Sequence, residues 1–83
     1  MELQERFEAA VANSKNLSER PSNDILLKIY SLFKQATEGD VQGDRPGGFD
    51  FKAIAKYNAW NNQQGKSKDE CMTEYVALIE SLS

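Results

Sequence analysis

Two groups of side chains in this sequence could receive an anion. Tyr30, Phe33 and Lys34 stand at i, i+3 and i+4 within YSLFKQATEGD, so on a helix they share one face. Lys52 and Lys56, four residues apart in DFKAIAKYNAW, project together from a second helix. Ammonium groups beside a phenol suit a phosphate, and one lysine–phosphate contact at 4 Å contributes ~4 kcal/mol at an effective dielectric near 20. Salt weakens such a contact where water reaches it. Periodicity alone gives a plainer reading. Tyr30 and Phe33 would then be core, Lys34 a lysine with its stem on the core and its head in water, and Lys52 with Lys56 a solvated face.

Other chemistries find little support. With no histidine, the usual general base, the Ser-His and Cys-His pairs and most zinc sites are missing. Cys71 is the sole cysteine and sits in the middle of an apolar stripe, which reads as an inert buried thiol in a reducing compartment. The formal charge of −3 argues against general nucleic-acid binding, whose affinity comes from neutralising phosphates. The segment EGDVQGD loosely imitates a calcium loop through Glu38, Asp40, Gln42, Gly43 and Asp44. Its twelfth position, however, is Phe49 where a bidentate glutamate is required. No metal and no cofactor is expected. Apolar runs of only a few residues fall far short of the ~20 that span a bilayer. MELQERFEAA lacks the basic start and apolar stretch of a signal peptide, so the expectation is a cytoplasmic protein.

The elements that must carry these residues are helices. Eighty-three residues suffice for one domain, 1–83, with a modest core. Leu3, Phe7, Ala10, Val11 and Ser14 follow helical spacing in a first helix. Pro21 can begin the second, SNDILLKIYSLFKQATE, which stops at Gly39, a residue suited to a left-handed position. That helix is apolar over more than one stripe, so it requires more than one partner face. Asp50 can cap a third helix, FKAIAKYNAWNNQQ, ending before Gly65. Ser67 and Glu70 form the pattern of a capping box opening the fourth, whose apolar side includes Cys71, Met72, Tyr75, Val76 and Ile79. No strand-like alternation is present, and the fold class is all-α. The connection GDVQGDRPGGFD is long for a compact domain and frees the second and third helices from the antiparallel pairing that short loops impose.

The ordered set Tyr30, Lys34-Gln35-Ala36-Thr37, Gly39-Asp40, Arg45-Pro46-Gly47, Asp50-Phe51-Lys52, Lys56 and Ala59-Trp60 resembles the acyl-CoA-binding protein family. The resemblance extends from Phe7 to Leu82. It implies a four-helix bundle in up-down-down-up order that holds a long-chain acyl-CoA thioester without transforming it. It further implies an intracellular acyl-CoA carrier and buffer, a monomer that serves acyl-CoA-using enzymes. By this resemblance, Lys34 and Lys56 pair with the 3′-phosphate of the adenosine, Tyr30 donates its hydroxyl, and the ring of Phe33 helps to hold the adenine. Further nucleotide or phosphate contacts would come from Lys15, Lys52 and Tyr75. Burial of the acyl chain yields ~0.8 kcal/mol per methylene, roughly 10 kcal/mol for a fully covered palmitoyl tail. The tail would supply affinity, and the basic site would separate a CoA ester from a free fatty acid.

Some positions depart from the family pattern. Phe33 stands where tyrosine is common, Tyr57 where many members have tryptophan, and Ile54 where a cation is frequent. A different class of function remains open beside the carrier: a helical protein-interaction domain that kept the scaffold without the ligand.

Overall fold

The computed structural model describes residues 2–83. Among them are four α-helices and no strand: α1 (Leu3–Ser14), α2 (Asn23–Glu38), α3 (Phe51–Asn61) and α4 (Lys68–Leu82). Each of the last three begins at a side-chain cap that satisfies an orphan backbone N–H. The Ser22 hydroxyl accepts from the Ile25 N–H at 3.3 Å, the Asp50 carboxylate from Ala53 at 3.1 Å, and the Ser67 hydroxyl from Glu70 at 3.0 Å. Ser22 moves the start of α2 to Asn23, past the proline at 21. In the box expected at α4, only the Ser67 half forms among the described residues, and the exposed Glu70 carboxylate stays in water.

The stop at Gly39 has a different geometry from the one the sequence suggests. Its φ of 82° with ψ of −153° lies in a region open essentially to glycine alone, rather than in the left-handed helical well. α3 ends at Asn61, short of the expected Gln64, and the chain tightens into a turn. Backbone bonds there run from Gln63 to Trp60 and from Gln64 to Asn61. The turn swings Gln63 inward, where its side-chain amide donates to the Ser31 hydroxyl at 3.2 Å.

Side-chain contacts define the directions. Phe7 of α1 packs on Tyr75 of α4, and farther along Asn13 shares a surface groove with Ser83, so α1 and α4 run parallel. The Gln35 amide near the end of α2 donates to the Lys66 carbonyl just before α4, so those two helices are antiparallel. Leu26 of α2 faces Phe51 and Lys52 of α3, Tyr30 faces Lys56, and Lys34 faces Trp60, so α2 and α3 are parallel. The bundle is therefore up-down-down-up. Parallel neighbours require a connection that returns along the whole of α3, about 16 Å at 1.5 Å per residue. The twelve-residue stretch Gly39–Asp50 has ample reach for this, at about 3.3 Å per residue when extended.

Four hydrogen bonds hold that connection in place. The Trp60 indole N–H donates to the Gly39 carbonyl at 2.8 Å, and the Tyr57 hydroxyl donates to the Gly43 carbonyl at 3.2 Å. The Asp40 carboxylate accepts from the Gly65 N–H at 2.9 Å and also from the Gln35 amide at 2.7 Å. These two donors, Gly65 first, hold the Asp40 carboxyl below its ordinary pKa. Asp40 thus ties the exit of α2 to the entry of α4.

The core is supplied by α1, α2 and α4. Phe7 and Ala10 come from α1, Leu32 and Ala36 from α2, and Cys71, Met72, Tyr75, Val76 and Ile79 from α4. α3 buries none of its residues. Cys71 is fully buried, and desolvation, with the Glu74 charge second, pushes its thiol pKa up. Such a thiol is inert.

Candidate functional site

The apolar surface of α2 is too wide for one neighbour, and its second partner is α3. Between the two helices runs a groove of about 420 Å³, lined by Asn23, Leu26, Leu27 and Tyr30 of α2 and by Phe51, Lys52, Ala55 and Lys56 of α3. That volume is within the range of small-molecule clefts, about 300–1,000 Å³. Its lining is graded along its length. Leucines and Phe51 occupy the end where both helices begin, whereas Tyr30 and Lys56 stand toward the other end.

Tyr30 is the meeting point of two cations from two helices. The Lys56 Nζ lies 5.3 Å from the centre of its ring and the Lys34 Nζ 6.0 Å from it. A cation over an aromatic face is attracted by the ring quadrupole, which helps hold both ammonium groups at one place. Lys34 also lies 5.4 Å from the centre of the Trp60 ring. Trp60 therefore both anchors Gly39 and flanks a cation.

Lys34 is not free. Its Nζ donates to the Glu38 carboxylate at 2.6 Å, one helical turn on. That hydrogen bond is the main cause of a Lys34 pKa raised above the usual ammonium value, and partial desolvation opposes it. Lys52, one turn before Lys56, is exposed at the groove wall. Lys52 and Lys56 form no ion pair among the described residues.

The remaining expected contacts are placed elsewhere. Phe33 faces the opposite side of α2, its ring 6.1 Å from that of Phe7 and 6.4 Å from that of Tyr75. Tyr75 is 2% exposed within this aromatic cluster, and a ligand in the groove would not meet its ring. Lys15 is the exposed C-cap of α1 and is not among the residues that line the groove. The structure thus unites Tyr30, Lys34, Lys52 and Lys56, and leaves Lys15, Phe33 and Tyr75 outside the groove.

Sequence reasoning passed over two features. Glu38 lies four residues from Lys34, a spacing visible in the sequence. Phe49 and Phe51 are 90% and 71% exposed, with ring centres 6.5 Å apart in an edge-to-face pair at the apolar end of the groove. Their signal was two phenylalanines bracketing the cap residue Asp50.

Such a bundle, with a cationic end and an apolar end to one groove, defines a small-ligand-binding domain. The family model "Acyl CoA binding protein" matches residues 4–79. A relative named acyl-CoA-binding protein homolog 1, from Caenorhabditis elegans, is 51% identical over 76 residues, 92% of this chain and 88% of the relative. An acyl-CoA-binding protein homolog of Manduca sexta is 46% identical over 83 residues, 99% of this chain and 92% of its own length. The crystal structure of Oryza sativa acyl-CoA-binding protein 2 superposes with a TM-score of 0.93 at 42% identity, covering 98% of this chain and 90% of that one. The chain belongs to the acyl-CoA-binding protein family.

Proposed function

We propose that this protein binds long-chain acyl-CoA thioesters and acts as an intracellular carrier and buffer for them, without chemical transformation and without a cofactor. The observation that carries this reading is the convergence of Lys34 and Lys56 on Tyr30 at one end of an apolar groove. The 3′-phosphate would sit between the two ammonium groups, with the Tyr30 hydroxyl donating to it and Lys52 adding charge along the wall. The acyl chain would follow Leu26, Leu27, Ala55 and Phe51, contributing ~0.8 kcal/mol for each methylene removed from water. Because the groove is open on one side, only part of the chain is covered, and a ligand can leave without the bundle opening. Phe33 would serve the adenine only through the outer edge of its ring, since its inner face is taken up by Phe7 and Tyr75. A monomer that delivers its ester to acyl-CoA-using enzymes fits this arrangement.

Calorimetric titration with palmitoyl-CoA and with dephospho-palmitoyl-CoA tests the proposal. A carrier binds the first clearly more tightly. Binding of neither would leave an interaction domain on a carrier scaffold.

A further inference from the structure

Glu38 has no evident structural purpose. It is the last residue of α2, where the helix dipole presents its negative end and a carboxylate is unfavourable. Its pairing with Lys34 also runs lysine first and glutamate second, the weaker order for an i, i+4 ion pair. Its side chain is 53% exposed, so burial gives it nothing to satisfy. Among the described residues, the only ion pair or hydrogen bond of its carboxylate is the one to Lys34, and Lys34 is one of the two cations gathered at Tyr30.

We infer that Glu38 is a resident counter-ion that competes with the ligand's phosphate for Lys34 and so sets how strongly this site discriminates phosphorylated from dephosphorylated CoA esters. This deepens the function proposed above and rests on it. Without Glu38, the phosphate would meet the full positive charge of Lys34 and Lys56. With it, one of those charges is already compensated at 2.6 Å, and a ligand must either displace the carboxylate or accept its repulsion. Either way the binding energy of the phosphate end falls, while the apolar end of the groove is unaffected. The result is a site in which more of the affinity comes from the tail and release of the head is easier.

The test compares the parent protein, Glu38→Gln and Glu80→Gln by calorimetry with palmitoyl-CoA and dephospho-palmitoyl-CoA at low and high salt. Glu80 pairs with Arg6 on the far α1/α4 side and serves as the control. Glu38→Gln is expected to bind palmitoyl-CoA roughly three- to fivefold more tightly at low salt, the scale of an exposed ion pair. Its affinity for the dephospho ester should be unchanged, and its affinity for palmitoyl-CoA should fall more steeply with salt than that of the parent. Glu80→Gln should match the parent. If the parent prefers palmitoyl-CoA and Glu38→Gln does not increase that preference, the counter-ion role is overturned and the carrier reading survives. Equal tightening toward both esters also overturns it, because the effect would then not act through the phosphate. A parent protein with no preference for the phosphorylated ester removes the phosphate site and the inference with it.

Discussion

The two sides of α2 are built for different purposes. Toward α1 and α4 it presents Leu32 and Ala36, essentially sealed from solvent, and the inner face of Phe33 in a cluster with Phe7 and Tyr75. Toward α3 it presents Leu26, Leu27, Tyr30 and Lys34, none of them sealed, against a helix that buries no residue of its own. Stability is therefore concentrated on one side of the helix and unspent apolar surface on the other. α3, whose residues are at most partly buried, is fixed toward its C-terminal end by polar bonds, Trp60 to Gly39, Tyr57 to Gly43 and, just past the helix, Gln63 to Ser31. A groove can stay open beside a helix fixed in this way. The difference teaches how so short a chain keeps a binding surface: three helices supply the core, and the fourth is positioned by hydrogen bonds.

The sharpest way to break this division is to damage one side and watch the other. Leu32→Ala, in the closed face, should lower unfolding free energy by about 3 kcal/mol in chemical denaturation. Palmitoyl-CoA affinity of the folded fraction should stay near the parent value, and a large affinity loss would show that the two faces are coupled. Lys56→Ala and Lys34→Ala address the open face. Each should weaken palmitoyl-CoA binding by more than about 1 kcal/mol, with little change in stability and with smaller losses in high salt. Equal affinity in variant and parent would remove that lysine from the site.

The connection between the faces can be probed by pH. Asp40 has a carboxyl pKa depressed in the folded state by the Gly65 N–H and the Gln35 amide. Its contribution to stability is therefore present above the ordinary carboxylate pKa and is lost as pH falls through the lower folded value. Asp40→Asn should flatten the acid limb of the stability profile below the ordinary carboxylate value of 3.8 and leave the neutral region with a constant offset. An unchanged acid limb would mean that the clamp does not depend on charge. The smallest expected effect is that of Phe33→Tyr, a slight tightening of palmitoyl-CoA binding through an added hydroxyl at the ring's outer edge. No change would mean that the ring alone suffices.

Much of this division was legible in the sequence, and the part that was not has a geometric cause. The breadth of apolar surface on α2 announced two partners, the long Gly39–Asp50 connection freed α2 and α3 from antiparallel pairing, and the family resemblance supplied the parallel order. Tyr30, Lys34 and Lys56 stood out by spacing and by their place in an ordered set of residues. Residues 30, 33 and 34 share a face only while one side of the helix is considered, so spacing alone did not show that Phe33 and Lys34 turn toward different neighbours. Phe33 lies about 60° around the helix from Tyr30, on the other side from Lys34. Once α4 and α3 claim opposite sides of α2, that angle sends Phe33 to the core and Lys34 to the groove. Tyr75 entered the expected site only through the family resemblance, and the cluster it forms with Phe7 explains its burial. The Lys34–Glu38 contact was visible as an i, i+4 spacing, but most such pairs on exposed helices mean little, so spacing alone gave no reason to single it out.

Mapping the bound ligand by amide chemical shifts is the most direct examination of the division between the faces. On titration with palmitoyl-CoA, the large shifts should cluster at Leu27, Tyr30, Lys34, Ala55 and Lys56, on the facing surfaces of α2 and α3. Shifts concentrated instead around Arg6, Asn13 and Ile79, which line a smaller groove of about 190 Å³ between α1 and α4, would place the ligand on the wrong side of the bundle and contradict the assignment of the α2/α3 groove as the binding surface.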